Sequence, residues 1–70
     1  MNACMVDAIE NCVQKHRQQA SVTQEELASA VGVTRQTIIA IERGNYTPSV
    51  SLAIKIARYF RQPVEKIFGI

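Results

Sequence analysis

The sequence predicts an all-α domain of five short helices, two of them joined as a helix-turn-helix. Three observations carry this. Apolar residues recur at helical spacing in separate stretches, with no alternating strand pattern, repeat or low-complexity segment. Two of those stretches open with the same cap-and-staple device, about eleven residues apart. Gly32, Gly44, Pro48 and Pro63 fall between the stretches rather than inside them.

The first stretch, Val6 to Gln18, places Ile9, Cys12 and Val13 on one face, with Met5 extending it and His16 continuing it as a half-buried or exposed histidine. Gln19 to Val22 links it to the second. From Thr23 to Val31 the inward side is Leu27, Ala28 and Val31. Thr23 stands three residues before Glu26, the spacing of a capping box, and Val22 and Leu27 are placed as its hydrophobic staple. Gly32 suits a left-handed helix end, where a Cβ is penalised. The third stretch, Arg35 to Arg43, repeats the device with Val33, Thr34 and Ile38, and turns Ile38 and Ile41 inward. Gly44 to Pro48 reads as a cap and turn. Ser49 to Phe60 is the fourth helix, offering Val50, Leu52, Ala53, Ile56, Ala57 and Phe60 for burial, with Ile54 and Tyr59 widening the face. Gln62 and Pro63 break the chain. Pro63 suits the first position of the fifth helix and Glu65 its first turn, with Val64 and Ile67 apolar and Phe68 as the core plug.

Seventy residues make one domain, spanning residues 1–70, with the paired helices at 23–43. A domain of this size buries only about 60% of its unfolded surface, so dimerisation is a natural source of further stability. Hydrophobic residues at 47% and charged residues at 20% describe an ordinary globular chain. The formal net charge of +2 is weak evidence for any partner, so the placement of charge has to carry the argument. Glu25 and Glu26 sit in the first turn of their helix, where the dipole favours negative charge. The two cysteines, Cys4 and Cys12, form no metal-ligand set. On one helix they would lie about 12 Å apart, too far for a disulfide, which reads as free thiols in a reducing cytoplasm. Neither a signal peptide nor a membrane-spanning stretch is evident, and no cofactor or small-molecule ligand is implied.

Two capped helices across a tight, glycine-containing turn are a helix-turn-helix signature, in which the second helix enters the DNA major groove. The run TQEELASAVGVTRQTIIAIERG (23–44), followed by NYTPSVSLAIKIARYF, resembles the XRE/Cro-type helix-turn-helix domain of bacterial and phage repressors. The resemblance covers about Ile9 to Phe68 and implies a lambda-repressor-like fold on double-stranded DNA.

By family position, base contacts fall to Arg35, Gln36, Thr37, Ile39 and Ala40. Arginine suits guanine O6 and N7, and glutamine suits adenine N6 and N7. Ile39 and Ala40 stand where relatives carry polar residues. Their readings are contact with thymine methyl groups or, for Ile39, packing on a neighbouring helix or partner. Phosphate contacts fall to Thr23 and Gln24 at a helix N-terminus, and to Arg43, Asn45, Tyr46 and Thr47. Packing on the fourth helix is the other reading of Tyr46, and a solvated cation that of Arg43. In relatives the residue matching Gln24 also braces the one matching Gln36. Resemblance also pairs Arg17 with Glu42, tying the first helix to the reading helix. Ser21 stands where many relatives have glycine, which implies a strained or altered backbone there.

One reading helix covers only a few base pairs, so a homodimer on a palindromic operator is expected. Its interface is sought at Arg61, Val64, Ile67 and Ile70, or alternatively at Met1, Met5 and Val6. Lys55, Arg58, Arg61 and Lys66 read as a solvated face, with dimer edges as the other use. The leading function is a cytoplasmic transcriptional regulator, a repressor, with no second domain to hold an effector. Alternatives are the antitoxin of a toxin–antitoxin pair and a protein-interaction adaptor on the same fold. His16 with two cysteines and no acid cluster offers no catalytic constellation, so no enzyme is expected.

Overall fold

The caps set the element boundaries in the computed structural model, which describes residues 10–69. Thr23 caps α2 (Gln24–Val31): its side chain accepts from the Glu26 N–H at 3.0 Å, and the Glu26 carboxylate accepts from the Thr23 N–H at 2.8 Å. Thr34 caps α3 (Arg35–Glu42) by accepting from the Thr37 N–H at 3.3 Å. Ser49 caps α4 (Val50–Tyr59) by accepting from the Leu52 N–H at 3.1 Å. Pro63 stands just before α5 (Val64–Ile67) rather than at its first position.

The first helix departs from expectation. α1 covers Val13–Gln19 and not Val6 to Gln18. Upstream of it, β1 (Glu10–Asn11) pairs antiparallel with β2 (Phe68–Gly69), Glu10 opposite Gly69 and Asn11 opposite Phe68. The Cys12 N–H prolongs this tie by donating to the Ile67 carbonyl at 2.7 Å. Asn11 is buried, its Oδ1 accepting from the Val13 N–H at 3.3 Å. That local turn competes with helix at residue 11. Cys12 is disulfide-bonded, which corrects the reading of free thiols. The 12 Å exclusion assumed one helix through both cysteines, and the helix starts after Cys12. Cys4 lies outside the described residues, as do Met1, Met5, Val6, Ile9 and Ile70.

Helix ends follow one pattern. After α1, the Val22 N–H donates to Arg17 O and the Ser21 N–H to Gln18 O. Equivalent pairs run from Val33 and Gly32 to Ala28 and Ser29, from Asn45 and Gly44 to Ala40 and Ile41, and from Gln62 and Arg61 to Ala57 and Arg58. This is the double bond of the Schellman motif, which needs a left-handed residue at its centre. Gly32 (φ 80) and Gly44 (φ 79) take it freely, whereas Ser21 (φ 58) and Arg61 (φ 56) take it against the Cβ penalty.

Val13, Leu27, Ala28, Val31, Ile38, Ile41, Leu52, Ile56, Ala57 and Ile67 form the core. Val22, Val33, Phe60, Val64 and Phe68 pack against it, half-buried. Ile67 is the plug at the C-terminal end, and Phe68 lies at its side. α5 is one turn long and Phe68 is already extended (φ −120, ψ 126), so the two side chains part there. Val50 is 77% exposed at the start of α4, against the expectation that it packs inward. His16 is half-buried; its ring lies 5.8 Å from that of Phe60, and its Nδ1 is 2.9 Å from the Cys12 carbonyl oxygen.

Ser21→Gly removes the left-handed penalty of about 1–2 kcal/mol and loosens the unfolded chain by about 0.4–1 kcal/mol. We expect a net gain of about 0.5–1 kcal/mol, read as an upward shift of the urea midpoint at unchanged m-value.

Candidate nucleic-acid interface

α2 and α3 meet through Leu27, Ala28 and Val31 on one side and Ile38 and Ile41 on the other, all buried. The opposite face of α3 is thereby turned out. Arg35 and Gln36 at its start are exposed, while Thr37, Ile39 and Ala40 are half-buried. The Thr37 hydroxyl lies 3.2 Å from that of Thr34. These residues are the first turns of a helix whose apolar side is fully used, so their outer atoms point to solvent.

An ion pair fixes the end of α3. Arg17 Nε donates to Glu42 Oε2 at 2.7 Å and Nη2 to Oε1 at 3.2 Å, with side-chain exposures of only 12% and 4%. Nη1 of Arg17 donates to the Val22 carbonyl at 3.0 Å, which holds the link before α2 as well. Such a bidentate fork fixes direction as well as distance. Asn11 adds a second tether from the N-terminal side, its Nδ2 donating to the Ile41 carbonyl at 3.0 Å. Sequence reasoning missed Asn11 because it placed residue 11 inside a helix; the signal available was an asparagine two residues before a helix start.

Gln24 bridges the two helices. Its Nε2 donates to Glu42 Oε1 at 3.1 Å, and its Oε1 accepts from Arg35 Nε at 3.3 Å. The residue braced is therefore Arg35, not Gln36. Arg35 is the first residue of α3 and faces the start of α2 across the turn. Gln24, Arg35, Glu42, Ile39, Gln14 and Arg43 line an open polar depression of about 310 Å³. Ile39 lies on this outer face, beside the arginine, rather than in the core.

The positions proposed for phosphate group around both ends of α3. Thr23 uses its N–H and an acceptor lone pair within the capping box, and its hydroxyl proton is still a donor. Arg43, Asn45, Tyr46 and Thr47 follow α3 and are exposed, Tyr46 at 48%. Arg61 is exposed and Val64 half-buried. Ile67, at 1% exposed, is part of the chain's own core and offers nothing to a partner surface.

Residues 13–67 match the family model described as Helix-turn-helix. The chain is 56% identical over 57 residues to an uncharacterized HTH-type transcriptional regulator of Methanothermobacter thermautotrophicus, covering 80% of this chain and 83% of that one. It is 45% identical over 60 residues to the uncharacterized HTH-type transcriptional regulator YgzD of Bacillus subtilis, covering 86% and 91%. A more distant likeness, 29% over 51 residues, is to the cryptic phage CTXphi transcriptional repressor RstR of Vibrio cholerae, covering 73% of this chain and 46% of that protein.

Arg17→Met leaves the nearly buried Glu42 carboxylate with Gln24 alone. Removing one partner of a buried pair costs about 3–5 kcal/mol, so we expect a loss near 3 kcal/mol in urea unfolding. A loss below about 1 kcal/mol would show the pair to be solvated in practice.

Proposed function

The chain belongs to the helix-turn-helix family of transcriptional regulators, of the XRE/Cro type, and from that premise we propose that it represses transcription as a homodimer on a palindromic operator. The observation that carries this is the exposed start of α3. Arg35 and Gln36 project there from a helix whose other face is locked into the core. Both side chains are suited to two-bond contacts with base edges in the major groove. Half-buried Thr37, Ile39 and Ala40 complete the reading surface, with the isoleucine and alanine suited to thymine methyl groups. Thr23, Gln24, Arg43, Asn45, Tyr46 and Thr47 border it and serve the phosphates, which position the helix without reading sequence.

Charge supports the same assignment. Arg17 cancels Glu42, which leaves Arg35 and Arg43 as the net charge along α3 and its exit. Specific binding then depends on a few base contacts rather than on a large positive field. We place the protein in the cytoplasm because its ligand is chromosomal DNA, and not on thiol state. Among the described residues no helix is long and apolar enough to cross a membrane. We read its action as binding and not catalysis, with His16 taken up by the Cys12 carbonyl and the Phe60 ring.

For the second copy we propose a surface shifted from the one expected. Val50, Ile54, Val64 and Phe68 line an apolar depression of about 400 Å³ between α4 and α5. Thr47, at the exit from α3, also lines it. Of the residues expected at the interface, Val64 lines this surface, Arg61 and Ile67 do not, and Ile70 lies outside the described residues.

The test is binding to DNA upstream of the chain's own gene and to random DNA of equal length, across a salt series. We expect a preference of about 10³-fold or more, and a linear fall of log affinity with log salt. Arg35→Ala should cut the preference by about 10–100-fold; equal binding to both duplexes, or no effect of the substitution, overturns the reading. Val50→Glu, at a 77% exposed position, should leave the fold intact and shift sedimentation from dimer towards monomer.

A further inference from the structure

We infer that the disulfide at Cys12 is a thiol-responsive catch on α3, acting through Asn11, so that the thiol state of the chain sets its affinity for the operator. The inference rests on the DNA-reading role above, which puts the protein inside the cell. Disulfides in that compartment are rare and, where present, are mostly formed and broken in use rather than kept as staples. Cys12 is nonetheless bonded.

Cys12 sits where three elements meet. Its N–H donates to the Ile67 carbonyl at 2.7 Å, just before β2, and its carbonyl accepts from the His16 N–H at 3.0 Å, opening α1. Asn11, the residue before it, pairs with Phe68 and donates through Nδ2 to the Ile41 carbonyl at 3.0 Å, in the last turn of α3. A constraint on Cys12 therefore acts one residue away from a tether of α3. The ladder beside that tether is short: β1 is two residues long, and so small a pairing is marginal by itself. Cys4 is the only other cysteine in the sequence, so within one chain the bond closes residues 4–12 into a ring. Such a ring removes freedom from the segment entering β1 when the ladder is open, and so favours the closed ladder. Cys12 is half-buried rather than enclosed, which leaves the bond within reach of a small thiol.

The step is thiol–disulfide exchange with a monothiol of the glutathione class. One thiolate attacks a sulfur of the bond and forms a mixed disulfide, releasing the other cysteine as a thiolate that takes up a proton. A second thiolate attacks the mixed disulfide, frees the remaining cysteine as a thiol, and leaves joined to the first as the oxidised dimer. Two electrons and two protons pass from two small thiols to the chain. With the ring open, β1 lets go more often, Asn11 leaves Ile41, and α3 keeps only the Arg17–Glu42 pair and its apolar face. A helix held in place for a smaller fraction of the time binds DNA more weakly by that fraction. The oxidised chain is thus the tight binder, and reduction releases the operator.

The full chain is poised with reduced or with oxidised glutathione and followed in three ways. Intact mass and thiol labelling count the bonded cysteines. Hydrogen exchange in the free protein follows the Cys12 N–H and the Val13 N–H, which donate to Ile67 O and Asn11 Oδ1. Affinity is measured for the duplex that the chain selects from a randomised pool. We expect one bond within a single chain under oxidised glutathione. On reduction both amides should exchange about tenfold faster, and the selected duplex should bind about tenfold more weakly. Cys4→Ser, which leaves every described residue in place, should match the reduced chain in both media. Asn11→Ser, too short to reach Ile41, should still form the disulfide but bind weakly in either medium, since the catch has nothing left to hold. Two free thiols under oxidised glutathione overturn the inference, as does a bond that links two chains. So do equal exchange in both media and equal affinity of the two states for a selected duplex. If neither state selects any duplex, it is the regulator reading that falls, and exchange in the free protein still decides the catch.

Discussion

The Glu42 carboxylate joins three helices. It ends α3, accepts two bonds from Arg17 of α1, and takes a third from the first residue of α2. A carboxylate only 4% exposed is costly unless it is paired and hydrogen-bonded, and here both conditions are met. Apolar packing of Ile38 and Ile41 sets how close α3 lies to the core, but close packing tolerates some rotation. The bidentate fork has fixed directions and does not. The angle of α3 is therefore set by this polar cluster together with the Asn11 bond to the Ile41 carbonyl, and the outward presentation of Arg35 and Gln36 depends on that angle.

Short helices need such devices. The longest, α4, covers Val50–Tyr59, well under the roughly 12–15 residues at which an isolated helix becomes marginal in water. Each main helix is therefore defined at both ends. Side-chain caps fix the starts of α2, α3 and α4, and the same left-handed stop closes α1 to α4. Two of those stops rest on Ser21 and Arg61, which bear backbone strain that glycine would not. The strain is held in place by the part-buried bond from Arg17 to the Val22 carbonyl on one side and the burial of Ala57 on the other.

Much of the fold was legible in the residues. The Thr23–Glu26 box, the Thr34 cap, the left-handed Gly32 and the inward residues of α2 and α3 are all local in origin. They follow from hydrogen-bonding capacity and helical period within a few positions. The positive φ at Ser21 was signalled by a departure from the glycine that resembling chains carry. Less was legible at the edges. Periodicity alone ran a helix through residues 6–18, because Ile9, Cys12 and Val13 also fit a helical face. The Asn11 turn and the pairing of Glu10–Asn11 with Phe68–Gly69 override it. The cysteine reading failed with the same premise.

What the sequence by itself determined is where α2 and α3 start, where they stop and which of their faces is apolar, since these depend on neighbours within one or two turns. It also determined that Arg35 and Gln36 sit at the start of the second paired helix. Tertiary structure alone decided the rest. That Gln24 holds Arg35 rather than Gln36, that Ile67 and not Phe68 fills the core, and that Val50 is left in water each depend on the relative placement of elements far apart in the chain. Chain-local spacing carries no information on such placement; it is settled by closing one core around residues from Val13 to Ile67, with Arg17 and Glu42 meeting across it.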